Sequence, residues 1–171
     1  ADLTAIAFSR GPGSFSGVRI NAAVAQALAW SHDLPVIPVS SLQALAQAAF
    51  RLSGLTQVTA VLDARMQEVY IANFRLDQQG IMQPLDEEKL LSYERAANYA
   101  QFSAIGSGAA LIQPSQDNAA ATPYMMATAQ DIASIARVAA AQQQWLDAAQ
   151  ALPVYLRDDA WKKIAEQGKA N

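Results

Sequence analysis

Three groups of residues in this 171-residue chain have types and spacings suited to chemistry. The first is Arg10-Gly-Pro-Gly-Ser-Phe-Ser-Gly-Val-Arg19, in which Gly11, Gly13, Ser14 and Ser16 precede an Ala-rich run. A glycine loop that opens a helix aims unpaired N–H groups and the positive end of the helix dipole at one point, which is the geometry that holds phosphate. The second, Gly106-Ser-Gly108, follows the strand-like Phe102-Ser-Ala-Ile105 and repeats that outline. In the third, Asp63, Arg65 and Glu68 crowd one turn, where two carboxylates could do acid–base work. Each has a plainer reading. Glycines 11, 13 and 17 miss G-x-G-x-x-G by one residue and no Gly-Lys-Ser/Thr follows, so the loop also reads as a structural turn. Asp63 equally reads as an acceptor of local N–H groups and Arg65 as the partner of a carboxylate. The one histidine, His32, falls at a predicted helix C-terminus, where the dipole favours it over a role as ligand or base.

The elements that must position these groups follow from periodicity. Leu3, Ala5, Ile6, Ala7 and Phe8 form a strand-length apolar run. Ser14 or Ser16 then caps a helix over residues 17–31, whose Ala22, Ala23, Ala25, Ala27 and Ala29 lie on several faces. Only Arg19, Asn21 and Gln26 are plainly polar between Val18 and Trp30, which predicts a helix covered on more than one side, by its own domain or by a partner. Residues 35–39 make a second strand. Ser40 or Ser41 caps a second helix with Leu42, Leu45, Ala46, Ala49, Phe50 and Leu52 on one stripe, ending at Gly54. Strand, helix, strand, helix is an α/β rhythm with parallel strands.

From Thr56 the pattern becomes a β-hairpin turning at residues 64–67, and a lobe boundary is placed near residue 55, giving units 1–55 and 56–171. A turn at 77–80 leads into a strand at Ile81-Met82, a solvated acidic connection at 84–88, a weak helix over 90–99, a buried strand at 102–105 and a short helix over 109–112. Residues 114–123 read as polar loop. Thr128 and Asp131 resemble a capping box opening a last helix towards Leu146. Residues 152–161 read as an extended aromatic segment, with Arg157, Lys162 and Lys163 near it.

Composition narrows the function. Hydrophobic residues make up 52% of the chain and charged residues 16%, against about 25% charged in ordinary domains, which suggests surface covered by another subunit. A net charge of −3 argues against a broad nucleic-acid surface of the chain's own. With no cysteine and one histidine, neither a disulfide framework nor a thiolate metal site is expected. No run approaches the roughly 20 apolar residues that span a bilayer and no signal sequence leads the chain, so a cytoplasmic protein is expected. The sequence opens at Ala1 almost directly into a strand, as a fragment would.

With these residues in view, the chain resembles the TsaB (YeaZ) family of bacterial tRNA threonylcarbamoyladenosine biosynthesis proteins. The motifs that carry it are Arg10 to Arg19, Asp63-Ala-Arg65 with Glu68-Val-Tyr70, and Pro153-Val-Tyr-Leu-Arg157, spread through the chain in family order; Ser16 stands where the family more commonly has Thr. The resemblance implies an actin-like, ribonuclease H-like fold of two related lobes, with the N-terminal part of the first lobe missing from this chain. It implies a non-catalytic subunit beside a TsaD-type transferase and a TsaE-type ATPase, a homodimer when alone, tRNA contacted only through the complex, and no catalytic or metal residue of its own. The partner surface would be the first helix, with Arg19, Ile20, Ala22, Ala23, Gln26, Ala27 and Trp30. No cofactor is implied; ATP or ADP held by Gly11, Gly13, Ser14, Ser16, Gly106 and Gly108 belongs to the alternative of an actin-like nucleotide-binding enzyme. A peptidase, the other alternative, would need His32 as its base.

Overall fold

The computed structural model describes residues 3–112 and 125–157. The polar loop read at 114–123 and the Lys-containing tail with Trp161 lie outside the described residues. Strand β1 (Ile6–Gly11) runs further than the apolar pattern indicates, into the glycine loop, and helix α1 (Phe15–Ser31) begins two residues before Gly17. The reason is local: Ser14, not Ser16, is the cap, its hydroxyl accepting from Gly17 N at 3.2 Å. Strand β2 (Val36–Ser40) pairs with β1 in parallel, Ile6 opposite Val36, as the α/β rhythm requires. Ser40 caps α2 (Ser41–Ser53), accepting from Leu42 N and Gln43 N, and Gly54 closes the helix at φ 67°.

The hairpin β3 (Gln57–Arg65) and β4 (Glu68–Leu76) turns at Met66–Gln67. Beyond it, β5 (Met82–Pro84) pairs with β4, and β7 (Ala104–Ile105) lies parallel to β3. The helix read over 90–99 starts late: residues 89–92 are β6 (Lys89–Ser92), paired antiparallel with β4, and only then does α3 (Tyr93–Tyr99) follow, capped by Ser92. An open stretch of β4 recruits Leu90 and Leu91 as strand, which local propensity does not disclose. After α4 (Ala109–Ile112), α5 (Ala129–Ala141) stops five residues short of Leu146. Gln143 takes φ 56°, and Gln144 N and Gln143 N close back onto the Ala139 and Ala140 carbonyls, a left-handed stop. Leu146 is thereby freed to bridge Val36 through both backbone groups.

The core sorts into layers around α2. Phe8 and Val36 pack with Ala22, Ala25 and Ala29 of α1, while Ile37 and Val39 pack with Ile135 and Ala136 of α5. Leu42, Leu45, Ala46 and Ala49 of α2 pack against Val58, Ala60, Phe74 and Ile105 of the larger sheet. The opposite side of that sheet, Val61, Val69 and Ile71, is covered from α3 and α4 by Ala96, Ala109 and Ile112. The link at residues 54–56 therefore joins two sheets that share α2 as a filling. Helix α2 is itself tied to α5 by a fork: Arg51 Nε and Nη2 donate to the two Asp131 oxygens at 2.7 and 2.9 Å.

Candidate functional site

At 100° per residue, α1 divides cleanly. Val18, Ala22, Ala25 and Ala29 point at the small sheet and are buried. Opposite them stand Ile20 and Val24, 61% and 53% exposed, with Ala23 and Ala27 next to Ile20 on the side towards Arg19 and Trp30, and Leu28 at the other edge. Arg19, Gln26 and Trp30 run along one flank, and residues 148–155 lie beside it: Gln26 Nε2 donates to the Ala149 carbonyl at 3.3 Å, and the Arg19 guanidinium sits 3.3 Å from the Phe15 ring centroid and 4.9 Å from that of Tyr155. Of the seven residues assigned to a partner surface, Ala22 is a correction. At 4% exposure it packs inside its own fold, because a helix on a sheet must turn one stripe inward. Val24 and Leu28, absent from that assignment, belong to the outward face.

The three motifs that carry the family resemblance meet at one place. Gly13, Ser14, Phe15 and Val18 from the loop, Asp63, Ala64, Arg65 and Tyr70 from the hairpin, and Val154 to Arg157 from the end of the described chain line a cleft of about 430 Å3. Val154 N donates to the Arg10 carbonyl at 2.8 Å. Arg157 reaches the hairpin, with Nη1 2.7 Å from Glu68 Oε2 and Nη2 3.1 Å from the Ala64 carbonyl. Arg10 in turn lies 3.2 Å from Glu88 Oε2, and the other Glu88 oxygen accepts from Ser40 Oγ. Glu88 is thus a clamp between loop and connection, where a solvated acid was expected; both its partners come from the first 40 residues, beyond any local pattern.

The chemistry weighed for the remaining groups has structural occupants. Asp63 accepts from Arg65 N at 2.8 Å and pairs with the Arg65 side chain at 3.2 Å, while Glu68 is held by Arg157, so each carboxylate already has a cationic partner. In the second glycine turn, Gly108 N donates to the Val61 carbonyl at 3.1 Å. A Cβ on Gly106 would stand 2.5 Å from both Leu45 Cδ2 and the Val61 oxygen, so close backbone approach to β3 accounts for the glycine. His32 sits at the exposed end of α1, its Nδ1 2.8 Å from Ser31 Oγ, but that hydroxyl also donates to the Leu28 carbonyl as a helix-end bond. Among the described residues, no three His, Cys, Asp or Glu side chains gather as a metal cluster, and no helix is long and apolar enough to cross a membrane.

Comparison with known proteins agrees with these motifs. The family model described as "TsaD: tRNA N6-adenosine threonylcarbamoyltransferase" matches residues 1–170. The tRNA threonylcarbamoyladenosine biosynthesis protein TsaB of Haemophilus influenzae is 40% identical over 95% of this chain and 74% of its own length. The Escherichia coli TsaB is 37% identical over 95% of this chain and 75% of its own length. A Pseudomonas aeruginosa crystal structure, of a protein with similarity to peptidase YeaZ, superposes with a TM-score of 0.81 at 41% identity, covering 91% of this chain and 74% of that one. The mixed α/β architecture is accordingly the actin-like, ribonuclease H-like fold. Matched along nearly its whole length by that family model and by relatives at 37–40% identity, the chain belongs to the TsaB (YeaZ) family.

Proposed function

We propose that this chain acts in tRNA threonylcarbamoyladenosine biosynthesis as a non-catalytic scaffold: α1 docks a TsaD-type transferase subunit, a TsaE-type ATPase joins the assembly, and the chain pairs with itself when alone. It works in the cytoplasm, needs no cofactor of its own and meets tRNA through the complex. The observation that carries this reading is the outward face of α1, where Ile20, Val24, Leu28 and the 73%-exposed Trp30 surround Ala23 and Ala27. Large apolar side chains framing small ones offer a second helix a close approach, and burying them stabilises association by about 25 cal/mol per Å2 before the costs of binding. The test is threonylcarbamoyladenosine formation on tRNA by a TsaD-type subunit and its ATPase, supplied with threonylcarbamoyl-adenylate, with and without the full-length form of this chain. Dependence on the chain supports the scaffold; equal modification without it overturns it.

A nucleotide-binding reading draws on the cleft beside Ser14, with Arg65 and Arg157 in its lining. Calorimetry with ATP and ADP on the full-length chain decides it, and heat at micromolar to millimolar ligand would move it ahead of the scaffold.

A further inference from the structure

A second concavity, of about 570 Å3, lies where α1 ends against residues 145–150. Its walls include two indoles, Trp30 and Trp145, and two carboxylates, Asp33 and Asp147; among the described residues no Lys or Arg lines it. We infer that this niche receives a lysine or arginine side chain of the subunit that covers α1, an inference that rests on the scaffold reading above.

The walls are set before any partner arrives. Asp33 stands in the left-handed region at φ 53°, fixed by the helix-end bonds Asp33 N to Trp30 O at 3.3 Å and Leu34 N to Ala29 O at 2.9 Å. Asp147 caps the short turn that follows it, accepting from Ala149 N at 2.8 Å. Between them, Val36 and Leu146 exchange both backbone hydrogen bonds, at 2.9 and 2.8 Å. Trp30 belongs to α1's exposed flank and to the niche, so a helix laid along Ile20, Ala23 and Ala27 ends at its mouth. The chemistry of the walls selects the occupant. An apolar plug would strip water from two carboxylates without replacing it, at a net cost. A cation satisfies them and is attracted by the indole faces as well, and a guanidinium can stack there.

The test measures affinity between the full-length chain and the TsaD-type subunit at low and high salt, for wild type, Asp33→Asn/Asp147→Asn, Trp145→Ala and Ala23→Glu. Asparagine tolerates the left-handed conformation and caps as aspartate does, so the double variant removes charge while keeping shape. The expected result is a Kd raised about tenfold at roughly 50 mM salt for the double variant, with the difference shrinking at about 0.5 M. Trp145→Ala should weaken binding at both salts. If Ala23→Glu abolishes binding while the niche variants keep the wild-type Kd and salt dependence, the niche inference falls and the scaffold stands. If Ala23→Glu binds normally, the α1 reading falls and takes this inference with it. Weakening confined to self-association would assign the niche to a second copy and overturn the proposal.

Discussion

Arg157 Nη1 lies 2.7 Å from Glu68 Oε2 and tethers the last described stretch of the chain to the hairpin of the larger sheet. The same guanidinium donates to the Ala64 carbonyl, so one side chain closes one wall of the cleft where the loop, hairpin and C-terminal motifs meet. Both side chains are less than a third exposed, which lifts the pair above an ordinary surface contact. Arg157→Ala should lower unfolding free energy by about 1–2 kcal/mol and Glu68→Gln by about half of that. Urea denaturation followed by circular dichroism checks it; an Arg157→Ala loss below about 0.3 kcal/mol would make the tether energetically idle.

Neighbouring alanines of α1 give the sharpest contrast. Ala22 is 4% exposed against Phe8 and Val36, whereas Ala23 faces outward. Ala22→Glu should therefore fail to fold or lose several kcal/mol, because it drives a charge into a packed core. On the proposed docking of a TsaD-type subunit on α1, Ala23→Glu should keep the wild-type thermal midpoint yet lose that partner, since the charge would be unpaired only in the complex. Size-exclusion chromatography of the mixed subunits, with melting curves for each variant, separates the two; equal destabilisation by both would refute the division of the helix.

What could be read from the sequence was what neighbours in the chain decide. Ser40 with the stripe from Leu42 to Ala49, the hairpin around Met66, and Thr128 with Asp131 all rest on contacts within a few residues, and the structure has each of them. Glu88, Arg51 and Ala22 were misread or passed over because their partners lie outside the local stretch of chain: Arg10 and Ser40 for Glu88, Asp131 for Arg51, Phe8 for Ala22. The strand Lys89–Ser92 belongs with these, since it exists only because β4 has an edge to offer. For the site, the three motifs were visible one at a time, while their meeting at a single cleft depends on Val154 and Arg157 crossing back to Arg10 and Glu68.

Asp131 gives the fold an acid limit. Burial by itself would raise its carboxyl, but the Arg51 fork and the bonds from Thr128 N at 2.8 Å and Thr128 Oγ1 at 3.0 Å outweigh burial and hold it below the ordinary value. The folded state thus binds this proton less readily than the unfolded chain, whose Asp titrates near pH ~3.9. The stabilisation is full above that pH and is lost as pH falls through the folded carboxyl's lower range. Asp131→Asn should cost about 2 kcal/mol at neutral pH, by leaving the guanidinium without its anion, and should flatten the acid limb of a stability–pH curve. An acid limb unchanged in the variant would place the sensitivity elsewhere.

Tyr99 sets the opposite limit. Burial, then the nearby Asp86 and Glu87 carboxylates, push its phenol well above the ordinary value, and its buried hydroxyl has no hydrogen-bond partner among the described residues. Here the folded state holds the proton more tightly than the unfolded chain, so this stabilisation is complete below about pH 10 and is lost as pH rises beyond it. Tyr99→Phe removes both the titration and an unpaired buried group, while the ring that Lys89 Nζ approaches at 4.4 Å remains. The variant should match or exceed wild type by about 0–1 kcal/mol at neutral pH, and the gap should widen steadily between about pH 9 and about pH 11. Paired urea denaturations across that range read the difference directly, with the other tyrosines and lysines cancelling between the two proteins. Parallel curves would mean that the phenol titrates normally in the folded state; a variant less stable at neutral pH would mean that its hydroxyl is satisfied by water or by a neighbour.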